Sequence, residues 1–340
     1  MVYNSINMAM INIRLAKFLL RTAKTFVAYI YDLYRFLRYS GLNENLKNHF
    51  IRNYTVAKTY HALEKSLSFR KRKANSGWSQ VRSLIDYHKI ALKDDALGFH
   101  DRASIKVVES FLANSDPSIK EDDCADVEVF LKEALLENEL DDTLHGARYI
   151  EPNELISAKL KKPEQFFLTR SSIRSFLNKK VDILAIERAV LFAMKTPTAC
   201  NRQPWIIYHS SDEVVMKKAL SLQSGNRGFG QEIPHLAVIA VDLRAYCSAE
   251  ERNAHLVDGA MFASTLVYAF HALGVGSCCL NWSRMPSDDI ALRESLNINP
   301  HYEIIMMIGF GYPDPEAKVC KSARKDASMV LLNLEEKSGG

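Results

Sequence analysis

The sequence predicts an α+β protein in which an all-helical N-terminal region precedes a region of mixed helices and short strands. In the first half, apolar residues recur every three or four positions, as they do along one face of a helix. From Pro152 onward, short runs rich in Ile and Val are bounded by proline or polar residues, which is typical of buried strands. Because 340 residues leave room for two cores, we expect two domains, residues 1–150 and residues 151–340.

Each element follows from its own spacing. Helical spacing predicts N-terminal helices over residues 11–39, 54–67, 78–92, 103–113 and 127–137. In the second half, the pattern predicts helices over residues 182–194 and 249–272, with strands over residues 204–208 and 235–241. The long helix contains small residues that would let another helix approach closely, namely Gly259, Ala260, Ala263 and Ser264.

Charge is distributed unevenly along the chain. Residues 1–75 carry a net charge of +11, although the whole chain is only +4. The first predicted helix places Lys and Arg at helical spacing among Leu, Phe and Tyr. Such a helix can pack on its own domain or on a partner subunit, or it can lie peripherally on an anionic membrane or bind an acidic partner. The sequence leaves these alternatives open.

Several classes of protein are excluded by what the sequence lacks. No uncharged run approaches the ~20 residues that span a bilayer, so no membrane anchor is predicted. No small-residue cleavage site follows the first helix, so no secretory signal is predicted either. The six cysteines show no C-x-x-C and no disulfide-scaffold spacing, which predicts reduced thiols in a cytoplasmic protein with no metal site. The basic run at residues 70–73 is predicted to be a solvated loop, so no nucleic-acid partner is expected.

Two short polar segments carry the strongest functional signal. Residues 169–176 read TRSSIRSF and place two guanidiniums and two hydroxyls within five positions, a donor set suited to a phosphomonoester. Residues 196–205 read TPTACNRQPW and form a turn, because Pro197 and Pro204 interrupt any regular ladder.

These segments, separated by one helix, resemble the N-terminal signature of the nitroreductase family of FMN-dependent oxidoreductases. The resemblance covers about residues 166–330 and includes the glycine turn and strand at 274–282 and the last strand at 308–313. It implies a central, mostly antiparallel sheet flanked by helices. A shorter segment, residues 60–68, resembles N-terminal helical extensions of nitroreductase-like proteins from bacterial polysaccharide gene clusters.

The resemblance also implies roles for individual residues. Arg170, Ser172 and Arg324 would hold the FMN phosphate, Ser171 would add further contacts, and Arg174 would lie near the ribityl chain or the ring edge. A further set would reach the flavin from a partner subunit: Pro197, Thr198, Ala199, Asn201 and Gln203. The ring would be bordered, mainly through backbone groups, by Cys279, Leu280 and Asn281. No side chain is expected to act as a catalyst in the strict sense.

The implied activity is hydride transfer from NADPH or NADH to bound FMN, and then electron transfer to a small molecule such as a nitro compound or a quinone. The family pattern also implies a homodimer with flavin sites at the interface. Two alternatives stay open. One is a flavin-dependent dehydrogenase that tailors a peptide or polysaccharide precursor; the other is a non-catalytic scaffold with the nitroreductase shape.

Overall fold

The computed structural model describes residues 2–69, 76–115, 121–137, 146–147 and 152–334. The predicted basic loop at residues 70–73 and the predicted domain boundary at residue 150 lie outside the described residues, so the boundary stays a prediction.

The first half is helical, as predicted. It contains α1 (Val2–Tyr39), α2 (His49–Ser68), α3 (Trp78–Lys93), α4 (Phe99–Ala113) and α5 (Glu121–Glu137). Helix α2 begins earlier than the apolar spacing indicates because the Asn48 side chain caps it, accepting hydrogen bonds from the amides of Phe50 and Ile51. Helices α2–α5, which we call the helical unit, share one apolar core that includes Tyr60, Leu84 and Phe111.

Helix α1 is anchored to the second half of the chain by its last turns. Tyr31 donates a hydrogen bond to Asp289 at 2.7 Å, and Arg35 forms an ion pair with Glu303 at 2.9 Å. Phe36 is buried in a cluster with residues of the second half. Most large apolar side chains between residues 13 and 30 are exposed instead. No helix among the described residues is both long and apolar enough to cross a bilayer.

The second half is built on a four-stranded antiparallel sheet with helices on both faces. Its elements are α6 (Pro152–Ser157), α7 (Pro163–Thr169), α8 (Ile183–Ala193), β1 (Trp205–Ser210), α9 (Glu213–Leu222), β2 (His235–Asp242), α10 (Ala254–Ala272), β3 (Gly276–Asn281), α11 (Pro286–Leu296) and β4 (Tyr302–Gly311). The strand order is β1-β2-β4-β3. Alternate side chains of β2 face opposite layers: Ala237 and Ile239 pack with α8 and α10, while Leu236 and Val238 pack with α9 and α11. The predicted α+β fold class, with a helical region before an antiparallel sheet, is therefore confirmed.

The structure corrects the limits of two elements. The helix predicted from residue 249 begins at Ala254, and Ala249–Glu251 form a separate 3₁₀ turn. Strand β4 begins at Tyr302, six residues before the predicted start.

The small residues of α10 divide between two faces: Gly259 and Ala263 are buried, whereas Ala260 and Ser264 are exposed. A Cβ atom at Gly259 would lie 2.5 Å from Ile305 on β4, so this glycine serves packing within the chain.

Candidate functional site

The structure places residues 170–174, the Arg-Ser segment, along the free edge of β3. Ser172 forms a parallel bridge with Ser277, and the amide of Ile173 donates to the carbonyl of Ser277 at 3.0 Å. Just beyond, the amide of Leu177 donates to the carbonyl of Tyr312 at 2.9 Å. The segment is thus held at two points, between β3 and the exit turn of β4.

Gly276 makes this close approach possible. A Cβ atom at this position would lie 2.7 Å from Ile173 Cγ1 and 2.9 Å from Pro313 Cγ, closer than real Cβ atoms approach other heavy atoms. A residue with a side chain would therefore push the Arg-Ser segment away from the sheet.

The guanidiniums of the Arg-Ser segment have no carboxylate partner among the described residues. Arg170 is half-buried and Arg174 is exposed. Arg174 lies near two soft groups, with Cys320 Sγ 3.9 Å from Nη1 and the centroid of the Phe229 ring 5.8 Å from Cζ. Two uncompensated cations next to two serine hydroxyls form a donor set that fits a phosphate group.

Strand β3 continues past this donor set with alternating burial. Leu280 is buried in the core, whereas Cys279 and Asn281 are exposed. Burial raises the pKa of the Cys278 thiol, and the guanidiniums of Arg174 and Arg170 partly offset this. The bridge between Ser172 and Ser277 places the Arg-Ser segment alongside the strand that carries Cys279.

Residues 197–203, the Pro-Gln loop, have an unusual backbone conformation. Cys200, Asn201 and Gln203 all have positive φ angles, of 53°, 51° and 50°. None of them is glycine, and a left-handed non-glycine residue costs about 1–3 kcal/mol. Three within four positions must therefore be imposed by the surroundings of the loop.

Arg202 is the main support of the Pro-Gln loop. Its side chain is fully buried and forms an ion pair with Glu251 at 2.5 Å. It also donates to the carbonyls of Ala199 and Ala245. Burial alone would lower the pKa of Arg202, but the hydrogen bond and charge of Glu251 outweigh it and raise that pKa. The guanidinium therefore stays charged within the fold.

A second support comes from α10. The carboxylate of Asp258 accepts a hydrogen bond from the amide of Ala199 at 3.3 Å and another from the hydroxyl of Tyr246 at 2.8 Å. Within the loop, the amide of Gln203 donates to Thr198 Oγ1 at 3.2 Å. Pro197 and Asn201 are left exposed, and Thr198, Ala199 and Gln203 are half-buried.

The sequence-predicted residues thus fall into two groups. Arg170 to Arg174 lie beside β3, and the Pro-Gln loop lies beside α10 and the helical unit. Among the hydrogen bonds of the described residues, none joins the two groups within one chain. Arg324 follows Cys320, which reaches Arg174, but its own guanidinium is exposed and donates to the carbonyls of Ser322 and Ala323.

Three residues that support the Pro-Gln loop were not among the predicted site residues: Arg202, Glu251 and Asp258. The sequence does mark Arg202, because it is the one cation within residues 196–205 and lies between Asn201 and Gln203. Its partner Glu251 lies 49 residues away along the chain, and no spacing rule links positions that only the folded sheet brings together.

Comparisons with known proteins agree with the two motifs. The sequence profile of the Nitroreductase family matches residues 168–225 and 212–312. A protein of Archaeoglobus fulgidus named "Putative NADH dehydrogenase/NAD(P)H nitroreductase" is 30% identical over 149 residues, which cover 44% of this chain and 83% of that protein. The residues that the family profile matches lie in the half of the chain that contains the sheet.

Solved structures of similar proteins match about half of this chain. The FMN-dependent nitroreductase of Clostridium difficile R20291 is 24% identical, with a TM-score of 0.43, and the match covers 50% of this chain and 98% of that one. A nitroreductase with bound FMN from Bacteroides fragilis NCTC 9343 is 14% identical, with a TM-score of 0.41, and the match covers 51% of this chain and 100% of that one.

Proposed function

This chain belongs to the nitroreductase family, and from that premise we propose that it is an FMN-dependent oxidoreductase that takes electrons from NADH or NADPH and passes them to a small molecule. FMN, when bound, supplies the hydride and electron chemistry. The observation that carries the proposal is the Arg-Ser segment, whose guanidiniums lack carboxylate partners among the described residues and lie against β3.

The residues of the chain would bind and orient the cofactor. In this proposal Arg170 and Ser172 hold the phosphate, with Ser171 beside them and Arg324 closing over it from the C-terminal segment. The backbone at Cys279, Leu280 and Asn281 borders the ring, and Arg174 tunes its reactivity by placing positive charge close to it. The proposal assigns no side chain to proton transfer.

We further propose that two chains complete each site. No hydrogen bond among the described residues joins the Arg-Ser segment to the Pro-Gln loop within one chain. This fits a partner subunit that supplies the loop residues Pro197, Thr198, Ala199, Asn201 and Gln203. Exposed apolar side chains on α7, α8 and α10, among them Leu168, Leu184 and Val257, offer a surface for such a dimer.

The free thiols of the exposed Cys279 and Cys320 fit a reducing compartment such as the cytoplasm.

The first experiment is the visible absorbance spectrum of the purified protein, followed by acid release and chromatography of any chromophore. About one FMN per chain, bleached anaerobically by NADH or NADPH, is the expected result. Bound FMN that neither nucleotide reduces would favour the flavin-dependent dehydrogenase that tailors a peptide or polysaccharide precursor. A colourless protein that also fails to bind added FMN would overturn the proposal in favour of the non-catalytic scaffold.

Helix α1 favours a second activity, peripheral binding to an anionic membrane. Arg14, Lys17, Arg21 and Lys24 follow one another at spacings of three and four residues and therefore share one face. Beside this stripe, large apolar side chains such as Phe18 and Phe26 are more than 60% exposed. A basic stripe next to a broad apolar face is the pattern of helices that lie in the plane of a membrane interface.

Co-sedimentation with vesicles tests this activity. We expect binding to vesicles with 30 mol% anionic lipid in about 100 mM salt, loss of binding to neutral vesicles, and weakening as salt rises. The Phe18→Ser and Phe26→Ser double variant should release the protein. No sedimentation of the wild type would overturn membrane binding, and loss of dimers in the double variant would assign the face to a second copy instead.

A further inference from the structure

The Pro-Gln loop is also held from the N-terminal half of the chain. His100 lies near the start of α4 and its side chain is buried. Its Nε2 atom lies 3.0 Å from the carbonyl oxygen of Arg202, and its Nδ1 atom lies 2.8 Å from the hydroxyl of Tyr60 on α2. One buried imidazole therefore connects two helices of the helical unit to the backbone of the loop.

The chemistry of the partners sets the direction of these hydrogen bonds. A carbonyl oxygen only accepts, so Nε2 carries the proton and donates to Arg202. Nδ1 of the neutral ring then accepts from the hydroxyl of Tyr60. The result is a chain of two hydrogen bonds, from Tyr60 to His100 and from His100 to the peptide that links Arg202 to Gln203.

His100 itself is fixed in position by α2. Its amide donates to Asn53 Oδ1 at 3.1 Å, and the amide nitrogen of the Asn53 side chain donates to Asp101 at 2.8 Å. Asp101 also accepts from the amide of Gly98 at 2.9 Å, which closes the first turn of α4. His100 is thus held in position both at its backbone amide and at its ring.

We propose that the helical unit positions the Pro-Gln loop for flavin binding, with His100 as the positioning residue. The hydrogen bond to the Arg202 carbonyl fixes the peptide immediately before Gln203, whose φ of +50° is one of the three left-handed angles. With that peptide held, Asn201 and Gln203 keep the orientation in which they reach the cofactor. The inference rests on the proposed FMN site, and in it His100 acts through the loop without touching the flavin.

The test compares two substitutions at His100 in the full-length protein. His100→Leu removes the donor to Arg202, whereas His100→Gln keeps an amide donor at nearly the same reach. We expect the apoprotein of His100→Leu to bind FMN about three- to tenfold more weakly, as measured by quenching of flavin fluorescence. The loss of one buried hydrogen bond corresponds to this range. His100→Gln should bind within about twofold of the wild type.

A matched control separates positioning from general destabilisation. Leu84 lies on α3 and is buried in the core of the helical unit, with an apolar side chain that can form neither a hydrogen bond nor an ion pair with the loop. Leu84→Ala should weaken the helical unit in urea unfolding while leaving FMN affinity unchanged. If His100→Leu binds FMN as tightly as the wild type, or if Leu84→Ala weakens binding equally, the proposal is wrong. Should His100→Leu fail to fold, Tyr60→Phe replaces it, with the same direction of change expected.

A measurement without flavin keeps this inference distinct from the proposed function. In the apoprotein, hydrogen–deuterium exchange of peptides that cover residues 198–203 should be faster in His100→Leu than in the wild type or in Leu84→Ala. Unchanged exchange would overturn the positioning role. A wild-type protein that binds no FMN would overturn the proposed function, and exchange would still decide whether His100 holds the loop.

Discussion

At the scale of single residues, Arg170 is the most direct test of the FMN site. Its guanidinium forms no ion pair among the described residues, and it belongs to the segment that bridges to β3 through Ser172. A charge-assisted hydrogen bond contributes about 1.5–3 kcal/mol, so Arg170→Ala should weaken FMN binding by about ten- to a hundredfold. Arg170→Lys keeps the charge but loses the planar fork, and we expect an intermediate loss.

Fluorescence titration of the apoproteins with FMN measures both changes. Lys217→Ala removes a cation from the exposed face of α9 and serves as the control. Equal FMN affinities in Arg170→Ala and Lys217→Ala would show that the Arg-Ser segment does not hold the cofactor.

Gly276 tests the geometry of the same segment. In Gly276→Ala the new methyl group would overlap Ile173 and Pro313, and overpacking of this kind costs about 1–3 kcal/mol of stability. Because relief of the overlap moves the Arg-Ser segment, FMN affinity should fall as well. Gly274→Ala is the matched control: its φ is +72°, but no atom lies within 4 Å of the new methyl group. It should cost stability through backbone strain and leave FMN affinity nearly unchanged.

At the scale of elements, strands β1 and β2 carry a pair of stacked histidines that predicts a pH dependence. The amide of Val181 donates to His235 Nε2 at 2.8 Å, so this nitrogen carries no proton, and Nδ1 faces Nε2 of His209 at 3.1 Å. Burial, with the charges of His209 and Lys180, lowers the pKa of His235 to about 4. A proton on Nε2 would oppose the Val181 amide directly.

The direction of this pH dependence follows from whether the folded or the unfolded chain binds the proton at the higher pH. In the unfolded chain His235 has its ordinary pKa of 6.5, so between pH 6.5 and 4 the unfolded state takes up more protons. The free energy of unfolding should therefore fall as pH falls through this range, by up to ~3 kcal/mol at about 1.4 kcal/mol per pKa unit. Urea unfolding at pH 7, 5.5 and 4.5 measures the slope. His235→Gln should show a smaller slope, and an identical slope in both proteins would contradict the assignment.

How far the sequence predicts these elements depends on whether the signal is local. Every N-terminal helix was recognisable, because each keeps apolar residues at helical spacing over three or more turns. Helices α6, α7, α9 and α11 were not predicted, since they are 6 to 11 residues long and give little periodicity. The Arg-Ser segment was found from its local donor set. The supports of the Pro-Gln loop were not, because His100 and Glu251 reach it only through the packing of distant elements.

At the scale of the whole molecule, the division of small residues on α10 predicts how two chains meet. Gly259 and Ala263 pack inward, whereas Ala260 and Ser264 are exposed one turn apart, where a helix of a second copy could approach closely. In the proposed dimer, Ala260→Arg should therefore block this approach, giving the 38.6 kDa monomer and releasing FMN, since each site would lose the loop of its partner. Light scattering coupled to size exclusion measures the mass, and absorbance reports the flavin. Ser221→Arg, an equivalent change on the exposed face of α9, should do neither. A monomeric Ala260→Arg protein that keeps its FMN would show that one chain holds the cofactor alone.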